Sequence, residues 1–516
     1  MLTALNTPAR FILFLTLVRI LWHLFTPVGM TGDESYYWLW GQHFDLGYYS
    51  KPPFIGWFFG LMDFIPLPKN WLFKTCATLF SSGCLYYVYQ TILTCCRSRR
   101  AAFYGLLALG LSPANLLFAS ILTIDSPLMF FWAGAMYYAS KLCFATQPSP
   151  KRDFLGLFIF LAFGHLCKQM MLVQLPIIIL CALFIKRSLL RSLLFWITLL
   201  GSLVSLVPPL MWNADNQWIT LQHTGHHFEA SSPSFMKSLG RLGELMGALL
   251  GLVSPIIFLQ LFPAIRSALG NFIPDIKEHK NRASVFFLTY GGIGLIVMLG
   301  MVFRQRVNAN WPAVFLIGGL GLTVFWAFQR DVRRKWFRRG LKVSGVLTAL
   351  LMVFLLCLEP FSESLAKIGL KPQRRGWQGY PTLTTQIDSH IPKDVTQIVF
   401  TGHRFSASQF AFHGKQNLKP NQELKSVHLW NGSDHIRNQF DFFPAPVTGK
   451  PVAVIVEQKK PTSSDKIPEK LQACLSDTKE VAQYSIHKAR EYPRYKVFLA
   501  QKLTQWPESP ASSTSH

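Results

Sequence analysis

Long apolar blocks fill the first two thirds of the chain, divided by short polar breaks, and from about residue 360 the pattern changes to short apolar runs set in polar sequence. Blocks of roughly 17–25 mostly apolar residues can cross a hydrocarbon core of about 30 Å as helices. They predict eleven spans, at residues 10–27, 72–95, 102–120, 124–145, 154–168, 170–185, 192–211, 241–262, 283–303, 310–328 and 341–359. Between the first two spans, Tyr36 to Phe44 is aromatic-rich and suits a helix lying in the membrane interface. Phe54 to Ile65 is apolar but short for a span, so a re-entrant or surface helix fits it better. Proline pairs at Pro52-Pro53 and Pro208-Pro209 mark helix ends. In the tail, Thr396 to Phe400, Val452 to Glu457 and Tyr495 to Leu499 read as strands. Pro507 to His516 reads as disordered. The expected fold is an all-α polytopic membrane domain over 1–359, carrying a first outer loop at 28–71. A small C-terminal α/β domain outside the membrane follows over 360–516.

Charge adds orientation. Arginine and lysine crowd alternate loops, as in Arg97, Arg99 and Arg100, Lys186, Arg187 and Arg191, and the run from Arg330 to Arg339. Such an excess in short loops marks the cytoplasmic side, which leaves segment 28–71, loop 212–240, loop 304–309 and the tail on the opposite face. The net charge of +25 would suit a nucleic-acid partner, but its place in these loops assigns it to topology and anionic headgroups. With 15% charged residues against about 25% in soluble domains, the composition agrees with a membrane protein. Eight of the nine cysteines fall in or beside apolar segments, and a single tail cysteine, Cys474, cannot build a disulfide framework. The run Phe11 to Phe25 lacks a small-residue cleavage site and reads as a retained first helix.

The candidate chemistry gathers on the outer face. Asp33 and Glu34 follow the first span, with Tyr36 and Tyr37 just beyond. A carboxylate there can deprotonate an attacking hydroxyl or orient a sugar, or it can serve as the acidic start of a helix. Lys51 can meet a phosphate as a point charge or snorkel at the membrane edge. Asp125, two residues before Pro127, is placed to cap a helix and also lies at a depth where ionisable groups are costly and often functional. Lys168 is a second candidate phosphate contact, or a topological anchor. Loop 212–240 carries Trp212, Asn213, His223, His226 and His227, but no cysteine joins the histidines and a structural zinc site is disfavoured. Arg304 and Arg306 add positive charge to a face otherwise poor in it.

Gly32-Asp33-Glu34, Tyr36-Tyr37-Trp38, Lys51-Pro52-Pro53, Thr123-Ile124-Asp125-Ser126-Pro127, Lys168, Pro209-Leu210-Met211-Trp212-Asn213 and Asn310-Trp311-Pro312 together resemble membrane glycosyltransferases of GT-C fold. More narrowly, they resemble the bacterial branch of the protein O-mannosyltransferase superfamily, which includes the aminoarabinose transferases of lipid A. The resemblance covers about residues 10–330. It implies a polyprenyl-phosphate-linked sugar as donor, bound from the non-cytoplasmic side. It also implies that Asp33 is the essential first-loop acid, that Lys51 meets the donor phosphate, and that Asp125 is the second acidic site. Lys168 and Arg306 would stand near the phosphate. Aminoarabinose transferases carry a glutamate before the lysine, used at a metal site; here that residue is Ser50.

The expectation is therefore a glycosyltransferase of the bacterial inner membrane, with its site and tail facing the periplasm. Asp33, Glu34 and Asp125 are the catalytic candidates, and Lys51, Lys168, Arg304 and Arg306 the donor-phosphate contacts. Tyr36, Tyr37, Trp212, Asn213, His226 and His227 would line the substrate pocket. The acceptor would be lipid A or lipopolysaccharide, another envelope glycan, or a protein. No cofactor is assigned, a divalent cation being the one candidate. The alternative is a lipid or polysaccharide transporter, although transporters place ionisable groups near the midplane and show repeated halves. A catalytically silent envelope-binding scaffold is a third reading.

Overall fold

The computed structural model describes residues 8–145, 150–226, 234–278, 281–358, 364, 379–418, 423–433, 435–487 and 490–507. Its packing separates into two compact units: residues 1–25, 51–54 and 67–354 form the first, and 26–50, 55–66 and 355–516 the second. Residues 28–50 and 55–66 of the expected outer loop thus group with the tail.

The first unit is helical, and its apolar pattern faces both ways. On helix Pro8–Phe25, Leu13, Leu17, Leu21 and Leu24 point outward while Phe11, Arg19, Trp22 and His23 are buried. A surface of exposed leucines at helical spacing suits lipid. Among the described residues, Pro8–Phe25, Leu193–Asp215, Arg282–Met301 and Asp331–Leu356 are long and apolar enough to cross a membrane. Helices Lys69–Cys96, Asp125–Phe144, Pro150–Cys167 and Ala313–Phe328 occupy other expected spans.

Several spans are broken rather than continuous. The span expected at 241–262 is two helices, Phe235–Val253 and Pro255–Gly270, bent by 112°. A residue before proline avoids the helical region, and Ser254 takes φ +123°, with its hydroxyl donating to Gly340 O at 3.0 Å. Pro208-Pro209 mark a helix start: they sit in the first turn of segment Val207–Asp215, just after the 3-10 turn Leu203–Leu206. The span at 102–120 divides into Arg99–Gly110 and Pro113–Phe118. Carbonyls freed at such ends need donors, because lipid offers none. Buried cations supply them: Arg19 donates to Gly110 O at 2.9 Å, and Lys74 to Ser120 O at 3.2 Å. His23 Nε2 lies 3.2 Å from Ala119 O.

The second unit joins helix Gly32–Gln42 and helical residues 55–63 to the tail domain. Seven strands are described: β1 Gln397–Thr401, β2 Ser426–Trp430, β3 Val452–Gln458, β4 Leu475–Ser476, β5 Lys479–His487, β6 Arg490–Ala500 and β7 Lys502–Leu503. The main sheet runs β2-β1-β3-β6-β5, with β1 parallel to β2 and β3, and β6 antiparallel to β3 and β5. β1 is buried at all five positions, as a central strand covered on both faces must be. Helix Arg404–Gln416 connects β1 to β2, the kind of crossover that a parallel pair requires. The strands expected at 396–400, 452–457 and 495–499 are thus present, within residues of their expected ends. Residues 508–516, the bulk of the segment expected to be disordered, lie outside the described residues.

His403 caps helix Arg404–Gln416: its Nδ1 accepts from Phe405 N at 3.2 Å. Burial, then the charges of Arg404 and Lys459, push its pKa down to about 4. The unfolded chain therefore takes up this proton first as pH falls. The stability that neutral His403 contributes is complete above about 6.5 and is lost as pH drops through about 4. Hydrogen-exchange protection factors of the amides of helix 404–416, corrected for the intrinsic rate at each pH, should fall over that window. His403→Asn, a good cap that does not titrate, should flatten the change, and an identical pH profile in the variant would remove this role.

Candidate functional site

In the first unit the clearest polar constellation is built on Asp125. It opens helix Asp125–Phe144, and Ser126 ties the turn before it by donating to Phe118 O and Ile121 O at 2.9 and 2.8 Å. Asp125 Oδ1 accepts from Lys168 Nζ at 2.8 Å, and Oδ2 accepts from Asn310 Nδ2 at 2.8 Å. The Asp125 and Lys168 residues are 8% and 9% exposed, so this is an ion pair largely withdrawn from solvent. Lys168 stands between helix Pro150–Cys167 and the 3-10 turn Gln169–Val173, in extended backbone. Both carboxylate oxygens are thus engaged, and Asp125 ties Lys168 to Asn310. Lys168 uses one of its three N–H donors on Asp125, the one hydrogen bond of its ammonium among the described residues. Asn310 was not among the sequence candidates, although its Asn310-Trp311-Pro312 motif was visible.

The other candidates of this unit are placed differently. Lys51 is half-buried. Arg306 pairs with Glu244 at 3.1 Å, with both side chains largely exposed, and Arg304 is exposed just after helix Ile293–Met301. Trp212 is buried. Asn213 closes a turn, donating to Pro209 O at 2.7 Å and accepting from Thr220 N at 3.1 Å, while Gln217 and Trp218 both take positive φ. His226 ends helix Ile219–His226, and His227 lies outside the described residues.

In the second unit, Thr31 caps helix Gly32–Gln42. Its hydroxyl accepts from Glu34 N at 3.2 Å, and Glu34 Oε2 accepts from Thr31 N at 2.8 Å. This reciprocal pair is a capping box, readable in the sequence as Thr31-x-x-Glu34. It gives the fully buried Glu34 a structural role and leaves Asp33 exposed at the helix start. The helix therefore begins at Gly32, with Thr31 rather than an acid as its cap. Tyr36 and Tyr37 are buried: the Tyr36 hydroxyl accepts from Gln439 N at 2.6 Å, and both rings pack on Trp40. Burial raises the Tyr36 pKa well above that of a free phenol, so it stays neutral. Among the described residues, no three His, Cys, Asp or Glu side chains converge as metal ligands. The donor set among the described residues does not fit the metal site of the aminoarabinose transferases, whose glutamate is replaced here by Ser50.

A family model described as dolichyl-phosphate-mannose-protein mannosyltransferase matches residues 50–212, which include Lys51, Asp125 and Lys168. The chain is 24% identical over 347 residues to the lipid A galacturonosyltransferase RgtD of Rhizobium johnstonii, covering 66% of this chain and 69% of that protein. Its fold is similar to ArnT from Cupriavidus metallidurans in the apo state, with TM-score 0.59 and 14% identity over 95% of this chain and 97% of that one. The same protein bound to undecaprenyl phosphate gives TM-score 0.57, at 14% identity, over 96% and 99%. The fold is thus that of the GT-C membrane glycosyltransferases. Residues 50–212 resemble the mannosyltransferase family model, and the chain is a multi-pass membrane protein.

Removing one member of a buried ion pair leaves the other uncompensated, at a cost of about 3–5 kcal/mol, whereas an exposed pair contributes about 0–1 kcal/mol. Asp125→Ala should therefore lower unfolding stability in detergent far more than Glu244→Ala. Equal losses would show that Asp125 does not anchor the bundle.

Proposed function

We propose that this protein transfers a sugar from a polyprenyl-phosphate donor to an acceptor on the periplasmic face of the bacterial inner membrane, with lipid A or lipopolysaccharide as the acceptor class. The observation that carries this reading is Lys168, withdrawn from solvent and held by Asp125, with two donors left for an anion. The basic loops support the orientation. The lipid A enzyme matched over two thirds of the chain supports the acceptor, and the neighbour bound to undecaprenyl phosphate supports the donor.

In the proposed reaction an acceptor oxygen attacks the anomeric carbon. The bond from that carbon to the phosphate oxygen breaks, and its electron pair leaves with polyprenyl phosphate. The departing oxygen gains charge but needs little protonation, so cationic groups matter more than an acid. Lys168 and Lys51 are assigned to that charge, the kind of stabilisation that usually contributes most. Asp33, the carboxylate left exposed by the capping box, takes the acceptor proton. Glu34 holds the helix that presents Asp33.

Mass spectrometry of purified full-length protein, supplied with polyprenyl-phosphate sugars and lipid A, should detect released polyprenyl phosphate. Asp33→Asn should lower that rate by about a hundredfold or more without loss of membrane insertion. Wild-type turnover in the variant would remove Asp33 from the mechanism, and no turnover of any donor by the wild type would favour a transporter or a binding protein.

A further inference from the structure

The tail domain contributes a cation beside the Asp33 helix. Arg404 opens helix Arg404–Gln416, which packs against helix Gly32–Gln42. A Cβ on Gly32 would lie 2.5 Å from Phe405 Cγ, so only glycine lets the starts of the two helices approach this closely. The Arg404 guanidinium carbon stands 5.2 Å from the centre of the Tyr36 ring and 5.0 Å from that of Phe405. Tyr36 is one turn beyond Asp33 on the same helix.

Stacking occupies the faces of a guanidinium and leaves its N–H edges for a planar or tetrahedral oxyanion. Among the described residues, no hydrogen bond from the Arg404 guanidinium is seen. The Arg404 Nε is buried with no hydrogen-bond partner, and Arg404 has no ion-pair partner among the described residues. The carboxylates at this corner are committed elsewhere. Glu457 accepts from His403 N at 2.8 Å, and Asp441 accepts from Arg437 N, Asn438 N and Asn431 Nδ2. Two aromatic rings therefore hold a cation in place without neutralising it, an arrangement that stabilisation of the tail domain alone does not require.

We infer that Arg404 is an acceptor-binding residue that takes a phosphate group of the acceptor glycolipid through its free edge, beside the helix that presents Asp33. The inference rests on the transfer reading above. It gives the tail domain a part in acceptor selection.

The test uses the full chain in detergent with bis-phosphorylated lipid A and the same lipid A after phosphatase treatment. Arg404→Ala should raise KM for the phosphorylated acceptor about tenfold or more, with kcat within about threefold and donor KM unchanged. The dephosphorylated acceptor should show the raised KM already in wild type and little further change in the variant. Arg404→Lys keeps the charge but loses the fork, and should fall between wild type and Arg404→Ala. Unchanged KM for the phosphorylated acceptor, or an equal rise for both acceptors, would overturn the assignment. Direct binding of phosphorylated lipid A without donor separates the two readings. Arg404-dependent binding with no turnover would sink the transfer reading and keep the site, while Arg404-independent binding would sink the site whatever the turnover.

Discussion

A carboxylate with both oxygens claimed inside a helical membrane unit ties together three parts of the chain. Asp125, Lys168 and Asn310 are far apart in sequence, and each sits at the edge of a helix rather than within one. Burying the lysine alone would be costly, and burying the aspartate alone equally so. Each therefore requires the other, and Asn310 satisfies the oxygen that remains. The result is a lysine fixed in position before any ligand arrives, with donors still open. A flexible lysine at a membrane edge, such as the snorkelling alternative for Lys51, would pay for ordering only on binding.

The same unit is interrupted where a bundle of simple spans would be continuous. Breaks at Leu111–Ser112 and Ser254, and the turn before Asp125, bring backbone carbonyls to places where lipid cannot satisfy them. Arg19, His23, Lys74, Ser126 and Ser254 meet those carbonyls. Buried cations here thus serve the breaks, and the breaks in turn place Asp125. In the second unit the capping box does comparable work: Glu34 is consumed in starting a helix, and Asp33 is presented by it.

The helical character of the first unit, the β1, β3 and β6 strands, and Asp125 and Lys168 as isolated charges beside apolar runs were legible because length, alternation and isolated charge are local signals. β2 and β5 were not, since Ser426–Trp430 and Lys479–His487 are partly exposed and mix polar with apolar residues. The bend at Ser254-Pro255 and the Thr31-x-x-Glu34 box were written in the sequence, but apolar continuity and the attraction of a paired acid obscured them. Arg19 and His23 lie within an otherwise apolar run, where hydropathy cannot tell an inward face from a lipid-facing one. Tyr36 and Tyr37 suggested the lining of a substrate pocket, yet Tyr36 is buried against Phe405, Phe440 and the Gln439 amide, hundreds of residues away. Arg404 gave no local signal at all; its meaning lies in which rings it meets.

Lys168, held by Asp125, is the group assigned to the donor phosphate, and phosphorus NMR reads that contact without any turnover. Undecaprenyl phosphate titrated into the full chain in detergent should give a saturable shift of its phosphate resonance. Lys168→Ala should weaken this binding about tenfold or more, while Arg306→Ala, whose side chain is exposed and paired with Glu244, should leave it near wild type. Wild-type affinity in Lys168→Ala, with the variant folded, would contradict the assignment.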